Sequence, residues 1–219
     1  ASCPSATVAG DTDDCDLGLT FGNPAITKLA DGTWVVVVTS GYNNVGPGDG
    51  KGYVYVLNAV TGQIIRKIQA ANAVQLLSPG DTTTPSGLSR INVWVDNAEV
   101  NNTALRVYSG DLLGNLWRFN LDTGTAYAIA KLTDPSNAPQ SVTTVPELAE
   151  VDGKPMIYVG TGRYLGASDV NSTQVQTIYG LKDTTNGVVP VTPINARELT
   201  VAYTLVVCAI VLGVFPGLL

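Results

Sequence analysis

Leu116-Trp117-Arg118-Phe119-Asn120, closed by the turn Thr123-Gly124, has two counterparts in the chain. They are Val54-Tyr55-Val56-Leu57-Asn58 with Thr61-Gly62, and Ile178-Tyr179-Gly180-Leu181-Lys182 with Thr185-Asn186. The final residues are 58, 120 and 182, a constant step of 62. Pro24 and Pro146 stand 122 apart, two steps of 61, and Pro85 lies midway. Self-similarity at a fixed long period is the signature of a repeat architecture.

Each copy reads as a strand, because β-branched and aromatic residues alternate and a Gly-rich turn follows. Around the copies, Trp34–Thr39 reads as a buried strand, and Gly52–Leu57, Gln63–Ile68 and Leu105–Ser109 follow in the same style. Met156–Val159 and Thr177–Leu181 complete the set. No helical periodicity shows before the tail. Repeated units of about four short antiparallel strands are blades of a β-propeller. The spacing predicts an all-β, propeller-like fold with about three long four-stranded blades in an incomplete ring, since a closed ring needs roughly 4–8. A twisted β-sandwich is the alternative. The organisation expected is an acidic N-terminal arm over 1–20, a partial propeller over 21–195, and an apolar tail over 196–219. The blades divide at about 21–82, 83–144 and 145–195.

Composition narrows the chemistry. The 219 residues carry 12 Lys and Arg against 18 Asp and Glu, a net charge of −6, with no basic cluster. That argues against a nucleic-acid partner. There is no histidine, so neither a Ser-His-Asp nor a Cys-His site can form within this chain. No catalytic or cofactor-binding residue is assigned. Cys3 and Cys15 close a short loop that oxidation can seal in an exported protein, or they stand as free thiols. Asp11, Asp13, Asp14 and Asp16 read as a solvated acidic arm, or as weak calcium ligands lacking the loop glycine. Asp111 follows a Gly at a strand end and reads as a turn-capping side chain. Trp34 and Trp117 read as fillers between blades. Leu199–Leu219 has no charged residue and reads either as a membrane span or as buried strands.

Several stretches carry a family resemblance. They are Gly22–Leu29 with Asp31–Val36, Ser40-Gly41-Tyr42-Asn43, Tyr108–Phe119 with its Gly-Asp-Leu-Leu-Gly-Asn-Leu-Trp-Arg-Phe core, Ser141–Glu147, and Tyr158–Leu165 with Gly-Thr-Gly-Arg-Tyr-Leu. Over about residues 20–185 the chain resembles the C-terminal β-propeller of the PilY/PilC type IV pilus biogenesis and tip-adhesin family. The resemblance implies a non-enzymatic module of a Gram-negative bacterium, extracellular, at the pilus tip or outer-membrane surface. The roles implied are pilus extension and retraction, adhesion and twitching motility. The partners expected are minor pilins, the remaining propeller and adhesin portion, and a host or surface ligand, with membrane contact by 199–219.

The resemblance also implies a calcium loop of the form D-x-D-x-D-G-x-x-D. It falls on Asn97, Glu99 and Asn101 as candidate metal ligands, with Asn102 at the Gly position and Leu105 in place of the last Asp. A quinone-dependent propeller dehydrogenase and an envelope assembly scaffold are the competing readings. If the module works by binding, its polar loops Asn43–Gly50, Asn72–Ser89, Asp134–Gln140 and Gly166–Gln174 are the candidates for contact.

Overall fold

The computed structural model describes residues 14–72 and 77–183. These form three antiparallel sheets. Sheet 1 has the order β1 (Ala25–Lys28), β2 (Trp34–Thr39), β3 (Tyr53–Asn58), β4 (Ile64–Gln69). Sheet 2 follows as β5 (Ile91–Val95), β6 (Ala104–Gly110), β7 (Asn115–Asn120), β8 (Thr125–Lys131). Sheet 3 contains β9 (Glu147–Val151), β10 (Lys154–Gly160) and β11 (Ile178–Lys182). The fold is all-β and propeller-like, and among the described residues the sheets do not close a ring. Sheet 3 shows three strands among the described residues, one fewer than the other two. Cys3, Cys208, Asp11, Asp13, the Thr185-Asn186 turn and the apolar tail lie outside those residues.

The 62-residue step has a plain structural meaning. Asn58, Asn120 and Lys182 are each the last residue of the third strand in their sheet. Pro24 and Pro146 directly precede the first strands of sheets 1 and 3. The first two copies end in the same hydrogen bonds. Asn58 Oδ1 accepts from the amides of Val60 (2.9 Å) and Thr61 (3.0 Å). Asn120 Oδ1 accepts from Asp122 (3.0 Å) and Thr123 (2.8 Å). Gly62 and Gly124 then donate to the Asn58 and Asn120 carbonyls at φ of +74° and +68°. That region favours glycine, which explains the Thr-Gly signature.

The sheets stack face to face. Val35, Val37, Val54 and Val56 of sheet 1 pack on Val107, Trp117, Phe119 and Ala128 of sheet 2. The opposite face of sheet 2 brings Tyr108, Leu116 and Ala130 against Ile157, Val159, Tyr179 and Leu181 of sheet 3. The central strands β6 and β7 therefore bury apolar side chains on both faces, Val107 and Phe119 toward sheet 1 and Tyr108 and Leu116 toward sheet 3. Asp183 ties the second junction. It accepts from Tyr108 Oη (2.6 Å) and Arg118 Nη1 (2.7 Å). Burial, and then Asp183, push the Tyr108 phenol pKa upward.

Two sequence expectations are corrected here. Trp117 is fully buried as an inter-sheet filler, but Trp34 is 48% exposed. In β2, Val35 and Val37 pack toward sheet 2; Trp34 opens the strand on the other face, with Lys28 Nζ 5.8 Å from its ring. The acidic arm is not solvated at its described end. Asp14 and Asp16 both pair with Lys67 Nζ, at 2.9 and 2.6 Å. Lys67 also sits 4.2 Å from the Tyr53 ring. Burial works against its charge, yet the two aspartates outweigh that and hold its pKa above the usual lysine value. The outer face of sheet 1 therefore draws the arm onto it, because a half-desolvated ammonium needs counter-charges. Cys15, beside them, is buried and disulfide-bonded, with its partner outside the described residues.

Candidate functional site

The strand ends divide into two unlike rims. At one rim the links are 29–33, 59–63, 96–103, 121–124 and 152–153. At the other they are 40–52, 70–90, 111–114, 132–146 and 161–177. All four polar loops singled out in the sequence belong to the second rim, as far as they are described.

The long links are stitched between the sheets by backbone bonds. The Gly41 amide donates to Leu88 O (2.8 Å), and Leu112 donates to Ser86 O (2.7 Å). One sheet further on, Val142 donates to Asp111 O (2.9 Å) and Gly162 to Ser141 O (2.7 Å). Each link between sheets thus wedges between the ends of two successive second strands. The segments that carried the resemblance, at 40–43, 109–115 and 160–165, are the strand ends that receive these wedges.

Asp111 holds the centre of this rim. Its Oδ1 accepts from the amides of Leu113 (2.9 Å) and Asn115 (2.8 Å). Its Oδ2 accepts from Asn115 Nδ2 (2.9 Å) and Trp117 Nε1 (2.8 Å). Turn capping was the sequence reading; the bond to Trp117, six residues on, was not foreseen. Burial pushes the carboxyl pKa up to about 6, against the pull of these donors and of the Lys131 charge. Lys131 bonds Leu113 O (2.5 Å) and Asn115 Oδ1 (3.1 Å) across the same turn. These bonds fix the shape of the turn, and Leu112 within it lines two hollows.

The larger hollow is a cavity of about 620 Å³. Leu19 of the arm and Phe21 just after it, Tyr42 and Asn43, Pro85 and Arg90, Leu112, and Tyr164 with Leu165 are among the residues that line it. Phe21 is 60% exposed and Tyr164 79%. Phe21 leans on Tyr42 at 6.0 Å, and Tyr42 Oη accepts from Ser89 Oγ at 2.6 Å. The smaller hollow, about 440 Å³, is polar, with Arg163, Asp169, Gln174 and Gln176 in its wall. Asp169 accepts from Arg163 Nε (2.8 Å) and from the Leu165 amide (2.9 Å). These bonds, the backbone one first, hold its carboxyl below the usual range. Gln140, fully buried, donates to Val175 O (2.6 Å) and accepts from Tyr179 Oη (2.5 Å), which knits 132–146 to 161–177. Clustered exposed apolar side chains over a firm polar frame are how contact surfaces are built. Leu19, Phe21 and Arg90 were missed in the sequence. The alternation of Leu17, Leu19 and Phe21 ahead of any strand was the available signal.

The candidate metal residues lie at the opposite rim, in the β5–β6 link. Asn97, Glu99 and Asn101 are all exposed. Glu99 is the one carboxylate among them. Asn101 Oδ1 already accepts from the Thr103 amide (2.8 Å), and the Asn97 carbonyl accepts from Val100 and Asn101. Neighbouring Asp96 is engaged by Arg106 and by Trp94 Nε1. Leu105 offers no side-chain oxygen inside β6. This donor set falls short of the 6–8 oxygens calcium takes. Among the described residues no group of three His, Cys, Asp or Glu side chains is placed to hold a metal.

Stacked antiparallel sheets of up to four strands, joined by links that wedge between neighbouring second strands, define a β-propeller scaffold that presents one loop-built rim. The particular family follows from comparison: the model of the PilY1 beta-propeller domain matches residues 7–128, and the chain belongs to that family. It is 32% identical over 192 residues to a type IV pilus biogenesis factor PilY1 homolog of Xylella fastidiosa, covering 80% of this chain and 13% of the relative. It is 28% identical over 197 residues to the type IV pilus biogenesis factor PilY1 of Pseudomonas aeruginosa, covering 77% and 16%. The crystal structure of the Pseudomonas aeruginosa PilY1 C-terminal domain superposes with a TM-score of 0.67 at 25% identity, covering 81% of this chain and 40% of that one. The chain therefore spans a small part of its curated relatives.

Proposed function

We propose that the chain is a non-enzymatic module of type IV pilus assembly and tip adhesion, acting through its loop-built rim. The observation that carries this is the convergence of the family-like segments from all three sheets on one apolar-lined cavity. The family relationship supplies the setting: the relatives are named as type IV pilus biogenesis factors. The module would support pilus extension, adhesion and twitching motility, with minor pilins or the rest of the propeller as partners. Its place would be extracellular, at the pilus tip or the outer-membrane surface of a Gram-negative bacterium. The disulfide at Cys15 supports an oxidising compartment.

The test is complementation of a piliated strain that lacks its own copy. Leu165→Arg, at a half-exposed position, should leave the protein level unchanged and remove surface pili and twitching zones. Normal piliation and motility with that variant would overturn the reading. Dye-linked alcohol oxidation by the purified chain with added quinone would restore the dehydrogenase alternative.

A further inference from the structure

Arg90, like Arg66, forms no ion pair among the described residues. Arg106, Arg118 and Arg163 each pair with an aspartate. The Arg90 side chain has no carboxylate or other hydrogen-bond partner among the described residues, although it lines the larger cavity and is half-buried there. Its backbone is held in place: Ser109 Oγ donates to the Arg90 carbonyl at 2.7 Å. The protein is net acidic, −6 overall, so an unpaired guanidinium within an apolar wall is set against the general charge. A guanidinium forms its strongest contacts with a carboxylate, in bidentate geometry. The walls beside it, Phe21, Leu112, Tyr164 and Leu165, suit aromatic or branched side chains.

We propose that this cavity binds a peptide segment of a partner protein that carries a carboxylate next to aromatic or branched apolar side chains, the carboxylate meeting Arg90. Asn43, exposed at the cavity wall with φ of +57°, offers an amide for the peptide backbone. The inference rests on the reading of this rim as a contact surface and adds the chemistry of what it contacts.

The probe is N-acetyl-leucyl-phenylalanine with its free carboxylate, set against the same peptide as a carboxamide. Binding is followed by NMR shifts of the Leu19 and Leu165 methyls and the Arg90 side-chain NH. The acid should bind at least about tenfold more tightly than the amide, since a charge-assisted pair is at stake. R90Q should abolish that preference and R90K should restore part of it. Y164S, at a position too exposed to affect folding, should weaken acid and amide alike. Equal affinity for the two peptides, no binding of either, or shifts mapping elsewhere would each overturn the proposal. If the peptides fail while Leu165→Arg still removes pili, the ligand chemistry falls and the contact surface stands. If both fail, both readings fall.

Discussion

The indole N–H of Trp117 donates to the carboxylate of Asp111 at 2.8 Å, and both residues are fully buried. One bond thus joins the turn that carries Leu112 to the side chain that fills the space between sheets 1 and 2. Asp111→Asn keeps the shape but offers an amide where two donors, Trp117 Nε1 and Asn115 Nδ2, now find an oxygen. Compared at about pH 4, where burial keeps Asp111 protonated and its hydroxyl oxygen can still accept, the variant should lose about 1–3 kcal/mol, the cost of leaving a buried donor unmet. Urea denaturation followed by Trp fluorescence measures it.

The same carboxylate sets a pH limb. Its pKa in the fold is about 6, above the ordinary 3.8, so the fold favours the protonated form. Stability from this group is therefore highest below about pH 4, falls as pH rises toward 6, and is level above. On the order of 3 kcal/mol separates the plateaus. Asp31, Asp49, Asp81, Asp134 and Asp169 are shifted the other way and lose their contribution as pH falls below 4. Urea midpoints from pH 3 to 8 should peak in mildly acidic buffer. In Asp111→Asn the decline between 4 and 6 should flatten.

Lys67 anchors the arm through Asp14 and Asp16. Lys67→Met should take the ammonium from two poorly solvated carboxylates and cost about 2 kcal/mol, between the values for exposed and fully buried pairs. Amide exchange should quicken at 14–19, and with it around Leu19, which reaches the cavity. Unchanged exchange there would show that other contacts hold the arm.

Asn58→Ala and Asn120→Ala each remove two turn hydrogen bonds and should cost about 1 kcal/mol apiece. Gly62→Ala and Gly124→Ala should each cost about 1–2 kcal/mol, because φ is positive at both. The paired substitutions lie in different sheets, so the losses should add. Equilibrium unfolding of the single and double variants decides this.

Calcium should give no heat of binding at the β5–β6 link in calorimetry, and Glu99→Ala should match the unaltered chain. Chelator should leave the melting temperature where it was. A calcium heat lost in Glu99→Ala would show that this link holds the ion.

The strands were legible because their turns are chemically explicit. Asn-x-x-Thr-Gly marks one hairpin twice, and Trp34–Thr39 was read with its observed limits. The hidden parts depended on what lies across a gap. Trp34 and Trp117 look alike in sequence, and only the neighbouring sheet makes one of them interior. Asp16 looked solvated until β4 placed Lys67 beneath it, 51 residues away. The cavity was least legible, since it joins residues from 19 to 165 that share no local pattern. Its loops could be named as candidates, but their convergence could not.

The unlike rims have a practical consequence for altering this molecule. A one-residue insertion at 121–124 would shift β7 against β8 and exchange the inward and outward residues of the shifted strand. The links at 40–52 and 161–177 end in backbone bonds to the inter-sheet links beside them, and their tips pair no strands. An epitope grafted into 170–173, between Asp169 and Gln174, should therefore change what the protein meets without changing whether it folds. The scaffold can be re-addressed from one side only.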